Sequence, residues 1–97
     1  MTGQLSVERE DGPDRGRYVI RLEDGVEAEL TYGRRDESTI VADHTFVPPS
    51  HRGKGLAEHL VAAIIADARR EGVKIVPLCS YVAAQFRRHP EWADLRA

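Results

Sequence analysis

The chain has 97 residues, of which 41% are hydrophobic and 31% charged, and its formal net charge is -2. That is enough apolar sequence for one core in one domain over 1–97, which excludes wholesale disorder, and the mixed acids and bases give no support to a nucleic-acid binder that works through a general phosphate footprint. A single cysteine, Cys79, excludes an intrachain disulfide, and no apolar run approaches the roughly 18 residues that cross a bilayer.

The opening MTGQLSVERE lacks the basic-then-apolar pattern of a secretory signal, so a cytoplasmic protein is expected, and no internal repeat is visible. Ser6–Glu10 reads as a short first strand, closed by the turn-rich Asp11-Gly12-Pro13-Asp14. Tyr18–Leu22 is aromatic and β-branched and predicts a second strand. Asp24-Gly25 then offers a two-residue hairpin turn to a returning strand, Val26–Tyr32, whose apolar and polar residues alternate. Glu27 and Glu29 fall on the wet side of that alternation. Gly33–Glu37 reads as a charged turn. Ser38–Val47 predicts a further strand with Ile40, Ala42, His44 and Phe46 on one side and Thr39, Val41, Asp43, Thr45 and Val47 on the other, ended by Pro48-Pro49.

After His51 the period changes. Leu56, Ala57, Leu60, Val61, Ile64, Ile65 and Ala68 recur at three- and four-residue spacing, a broad helical stripe stopped by Gly72, with Arg69-Arg70 suiting the negative end of the helix dipole. Val73–Leu78 predicts a short strand. Ser80 is placed to cap a second helix, Tyr81–Arg88, which His89-Pro90 closes, and Trp92 and Leu95 are expected to fold back on the core. Strands, helix, strand, helix describes an antiparallel meander feeding an α/β unit, in which the strands flanking the first helix run parallel.

The segment Pro48-Pro49-Ser50-His51-Arg52-Gly53-Lys54-Gly55-Leu56-Ala57 carries the chemistry. Gly53 and Gly55 free the backbone to turn tightly and present successive N–H groups where a helix begins, the arrangement that binds phosphate or pyrophosphate. Arg52 and Lys54 add charge, and Ala57 keeps the first turn small. A Gly-x-Gly pair alone also fits a glycine-softened helix start. The spacing is not that of a Walker loop or a dinucleotide fingerprint.

Arg52-Gly53-Lys54-Gly55-Leu56-Ala57 resembles the Arg/Gln-x-x-Gly-x-Gly/Ala signature of the GCN5-related N-acetyltransferase superfamily. Together with His44–Val47, Pro77–Tyr81 and His89–Trp92 it is similar to a group of short N-acetyltransferase-domain proteins, over about Leu5–Leu95. The resemblance implies a compact α/β (α+β) fold with a mixed, mostly antiparallel sheet and two main helices. It implies a sheet that splays between the strand ending near Val47 and the strand Val73–Leu78, with the pantetheine arm of acetyl-CoA in the splay. It assigns the pyrophosphate to Arg52, Gly53, Lys54, Gly55, Leu56 and Ala57, with His51 adjacent, and the pantetheine amides to Phe46 and Val47. It departs from larger members in ending at Ala97, without their later strands, and in having Phe86 and Arg87 where a tyrosine usually lies late in the second helix.

The activity implied is acetyl transfer from acetyl-CoA, a co-substrate, to an unidentified amine of a small molecule or protein; the alternative is a coenzyme A-binding sensor or partner-dependent module without efficient transfer. Cys79 ends the strand after the first helix and is open to three readings: thiol acid, acyl-accepting nucleophile, or small buried hydrophobe. His44 is either a catalytic residue that approaches the thioester from the partner strand or a satisfied core histidine. Tyr81 is a core, substrate-contacting or acid residue. His89 and Trp92 read as structural. The four histidines lack any zinc spacing, so no metal is expected. No residue pattern chooses between a monomer and a weak homodimer, and neither membrane nor nucleic acid is an expected partner.

Overall fold

The computed structural model describes residues 6–97. The start of the family resemblance at Leu5 lies outside them. A five-stranded sheet runs in simple chain order: β1 (Val7–Asp11), β2 (Arg15–Arg21), β3 (Glu27–Asp36), β4 (Thr39–Phe46) and β5 (Lys74–Pro77). The first four pair antiparallel and β4 pairs parallel with β5, after the crossover through α1 (Leu56–Glu71). A second helix, α2 (Ser80–Arg88), and a 3-10 segment, Pro90–Leu95, complete the chain.

The helical stripe forms as its spacing dictates. Leu60, Val61 and Ile64 are fully buried, and they join Ile20, Ala28, Leu30, Ile40, Ala42, Ile75, Val82 and Leu95 in one core. Gly72 takes the left-handed conformation that ends α1, at φ 72°. Trp92 packs edge-on to Phe86 and stacks on His89, and the tail pairs with β5 through Ile75 and Arg96.

Three local readings are corrected. The β2–β3 connection is a three-residue loop, Glu23–Gly25, because Leu22 and Val26 still pair; only Gly25 has a positive φ, so a two-residue turn is not formed. Gly33–Asp36 continues β3 instead of turning, held by pairing of Arg34 with Ile40 and of Asp36 with Thr39. Cys79, not Ser80, occupies the N-cap position of α2, and no side chain caps that helix.

The fourth correction matters most. Leu30 pairs with Thr45 and Thr31 with His44, but Tyr32 pairs with Ala42, which leaves Asp43 as an extra residue, a β-bulge. Beyond it the alternation of β4 reverses. Thr45 takes the inner face opposite buried Leu30, while His44 and Phe46 turn outward and are exposed. The single face expected for Ile40, Ala42, His44 and Phe46 is therefore split in two.

At the other end of the sheet, Tyr18 donates to Asp67 (2.8 Å), and Arg9 bonds Asp67 (3.1 Å), Glu71 (2.6 Å) and the Tyr32 hydroxyl (3.0 Å), tying β1–β3 to α1. Burial opposes ionisation of Asp67, yet the bonds from Tyr18 and Arg70 and the charges of Arg70 and Arg9 hold its carboxyl below its ordinary value. A depressed carboxylate stabilises fully above its unfolded value of about 3.9, and the contribution disappears as pH falls through the folded value. Asp67→Asn is expected to lower stability by about 1–3 kcal/mol at neutral pH and to flatten the acid limb of a urea-unfolding pH series.

Candidate active site

The bulge decides where β4 and β5 part. Their parallel register runs from Thr39 opposite Lys74 to Ala42 opposite Pro77 and stops one residue before Asp43. The Cys79 N–H still donates to the Ala42 carbonyl (2.8 Å), the last backbone bond between the two paths among the described residues. Over Asp43–Phe46, β4 keeps β3 on one edge, and its other edge has no strand partner among the described residues.

A cleft of about 400 Å³ opens there. It is lined by Thr45, Phe46, Val47, His51, Arg52, Gly53, Gly55, Leu56, Ala57, Glu58 and Tyr81, so the end of β4, the loop before α1 and the start of α2 converge on one space. Eight of the nine positions expected to bind a cofactor are in that lining, together with Tyr81. Lys54 is exposed beside the cleft and does not line it, and neither do His44 and Cys79.

The loop presents backbone N–H donors to the cleft. Gly53 and Gly55 both lie in the left-handed region, at φ 83° and 78°, where a side chain strains the backbone. No side chain caps α1, and the first bond back into its N-terminus runs from the His59 N–H to the Gly55 carbonyl (3.3 Å). The N–H groups of Leu56, Ala57 and Glu58 therefore lack an acceptor among the described residues, with the positive end of a 16-residue helix dipole behind them. Arg52 is anchored by its Nε to the Val47 carbonyl (3.1 Å), which ties the loop to the end of β4. Half-buried His51 bonds Ser50 (3.0 Å) through Nδ1 and brings Nε2 within 3.8 Å of Asp24 in the β2–β3 loop.

Cys79 and Thr45 meet across the splay, Sγ to Oγ1 at 3.4 Å, just behind the cleft. His44, expected to approach Cys79, points to the opposite side of β4. Tyr81 lies at the cleft wall, and burial, then the Glu58 carboxylate, push its phenol above the ordinary value against the pull of Arg88. It keeps its proton at neutral pH and can donate it.

Thr45, Glu58 and Asp24 are the site residues that sequence reasoning missed. Glu58 was findable, as the third residue after Gly55 in the first helical turn. Thr45 was not, because a strict alternation puts it on the wrong face.

Residues 17–95 match the family model described as GCN5-related N-acetyl-transferase. The chain is 29% identical over 91 residues to Protein NATD1 of Xenopus tropicalis, covering 93% of this chain and 84% of that protein. It is 27% identical over 85 residues to Protein NATD1 of Gallus gallus, covering 87% and 77% respectively. The NMR solution structure of a GCN5-like candidate N-acetyltransferase from Staphylococcus aureus superposes with a TM-score of 0.74 at 26% identity, covering 99% of this chain and 91% of that one.

A Cβ at Gly55 would sit 3.7 Å from Glu58 Oε1 in a backbone that disfavours it, directly beside the free N–H groups. Gly55→Val should weaken binding of a diphosphate-bearing ligand by about a hundredfold or more while lowering stability by about 1–2 kcal/mol, measured by calorimetric titration and by chemical unfolding.

Proposed function

The chain belongs to the GCN5-related N-acetyltransferase family, and on that premise we propose that it transfers an acetyl group from acetyl-CoA to an amine. The observation that carries this reading is the coincidence, in one cleft, of an uncapped helix N-terminus with two left-handed glycines and a strand edge left open by the bulge. An acyl-coenzyme A needs both: N–H donors for its diphosphate and an extended backbone to pair with its pantetheine amides. Arg52, Gly53, Gly55, Leu56 and Ala57 would hold the diphosphate, with Lys54 adding charge from outside the lining and His51 at its flank. Phe46 and Val47 would pair with the arm.

When bound, the co-substrate supplies an acetyl thioester. The amine nitrogen forms its bond to the acetyl carbon as the carbon–sulfur bond breaks, the amine loses a proton and the departing thiolate takes one up. Tyr81, protonated at the cleft wall, is the donor in this reading. His44, exposed on the outer side of β4, receives the proton of an amine arriving from that side. Cys79 sits against Thr45 behind the cleft, and in this reading it either accepts the acetyl group transiently or is a packed small side chain with no part in transfer. One observation favours the second reading, a coenzyme A-binding module that transfers poorly: His44 and Cys79 both lie outside the cleft lining.

Calorimetric titration with acetyl-CoA, with pantetheine as the phosphate-free control, tests the binding half. Micromolar affinity that pantetheine does not reproduce is expected, and no heat at millimolar acetyl-CoA would falsify both readings. The catalytic half is tested by turnover against a panel of primary amines. Tyr81→Phe should reduce kcat by about tenfold to a hundredfold with acetyl-CoA affinity nearly unchanged. Cys79→Ala separates the two roles: loss of a mass-detectable acetyl adduct together with turnover assigns a nucleophile, and unchanged turnover removes Cys79 from the mechanism.

A further inference from the structure

We propose that the groove on the outer face of the sheet beside Phe46 receives the amine acceptor, and that this acceptor is an aliphatic amine carrying a second positive charge. The proposal rests on the acetyl-transfer reading and narrows its substrate.

The groove, of about 530 Å³, is lined by Val26, Glu27, Glu29, Phe46, Pro48 and Pro49, with Gly25 at its end. Val26 and Phe46 are 38% and 41% exposed, two large apolar side chains left to solvent on one surface. Phe46 stands opposite Glu29 in the β3–β4 ladder, so the ring and the carboxylate share a face as nearest cross-strand neighbours. The carboxylates here are not equally engaged. Glu27 accepts from Arg17 through Oε1 (2.9 Å) and from Arg21 through Oε2. Glu29 accepts from Arg17 through Oε1 (2.8 Å), and its Oε2 accepts no hydrogen bond from the described residues.

A free carboxylate oxygen beside an aromatic ring and apolar walls suits an ammonium group on a methylene chain. The carboxylate supplies the counter-charge, the ring face attracts the cation and covers the stem, and valine and proline close the groove behind the ammonium. The surrounding face reinforces the sign. Among the described residues Glu8, Glu10, Glu27 and Glu29 ion-pair only with Arg17 and Arg21, four carboxylates against two guanidiniums, so the patch attracts cations and repels anions.

Position links the groove to transfer. Phe46 lines both the groove and the acyl cleft, and so forms the wall between them. His44 follows two residues back on the same outer face, next to the bulge. Glu29 and Phe46 form the end of the groove nearest the Thr31–His44 rung, so an acceptor whose distal ammonium rests on Glu29 and whose chain crosses the Phe46 ring brings its other amine toward His44 and the splay. A monoamine lacks the anchor, and an amine with a carboxylate at its far end meets repulsion.

An amide NMR titration of the full chain, without coenzyme, uses cadaverine as probe and pentylamine and aminovalerate as comparators. Cadaverine should shift the Val26, Glu29 and Phe46 signals saturably, with pentylamine about fivefold weaker or more and aminovalerate weaker still. Glu29→Gln, an isosteric change at a partly exposed strand position, should reduce cadaverine affinity about fivefold, while the exposed control Glu37→Gln should not. Equal affinity for the three probes, no saturable shift at millimolar cadaverine, or an unaltered Glu29→Gln titration overturns the cation site. Calorimetry with acetyl-CoA keeps the two readings apart. Cadaverine binding without acetyl-CoA binding removes the acceptor role through failure of the transfer reading. Acetyl-CoA turnover as efficient on pentylamine as on cadaverine removes it alone.

Discussion

The extra residue at Asp43 in β4 is the constraint on which the site depends. Before it, β4 is an interior strand with β3 and β5 on its two edges; after it, the bonds to β5 cease and the side-chain alternation reverses. A bulge bends its strand and increases the local twist, so the departure of β4 from β5 is a backbone consequence and needs no ligand to force it. Asp43 itself is held there by the Thr31 hydroxyl (2.5 Å) and by Arg15 (2.8 Å), which ties the bulge to β3 and to the start of β2.

The splay alone would be an opening between two strands. It becomes a cleft lined with N–H donors because the crossover helix starts at its mouth. The nine-residue β4–α1 connection is fastened by Arg52 to the Val47 carbonyl, so the uncapped N-terminus of α1 faces the same space as the free edge of β4. The core fixes this relation. Leu56 and Leu60 in the first turns of α1 are buried against the sheet, so the glycine loop cannot drift without unpacking them. The Arg9–Asp67–Tyr18 cluster clamps the opposite end of the same helix to β1 and β2.

The two faces of β4 then divide the labour. The inner face, through Thr45 and Val47, belongs to the cleft and the core, and the outer face, through His44 and Phe46, looks toward solvent and the Arg–Glu ladder. That ladder is a lid as well as a charge pattern. Val19, paired with Glu8 and Glu29, is 0% exposed yet lies outside the core cluster that packs against the helices, so the long arginine and glutamate side chains exclude water from it.

Much of this was legible in the residues. The apolar spacing of Leu56–Ala68 and the Gly72 stop specify α1, and Gly53 and Gly55 mark the loop, because local backbone preference and one-dimensional periodicity are properties of short segments. The pairing order followed from chain order and the handedness of the crossover. What the sequence could not show was the bulge. Nothing in Ile40–Val47 distinguishes eight alternating residues from the same eight with one slipped, because the slip is set by which β3 residue each meets across the ladder. That tertiary choice sent His44 outward, brought Thr45 to Cys79 and set Phe46 between cleft and groove. The sequence by itself determined the elements and the glycine loop at the start of α1; only the packed sheet decided which side of β4 each candidate side chain faces.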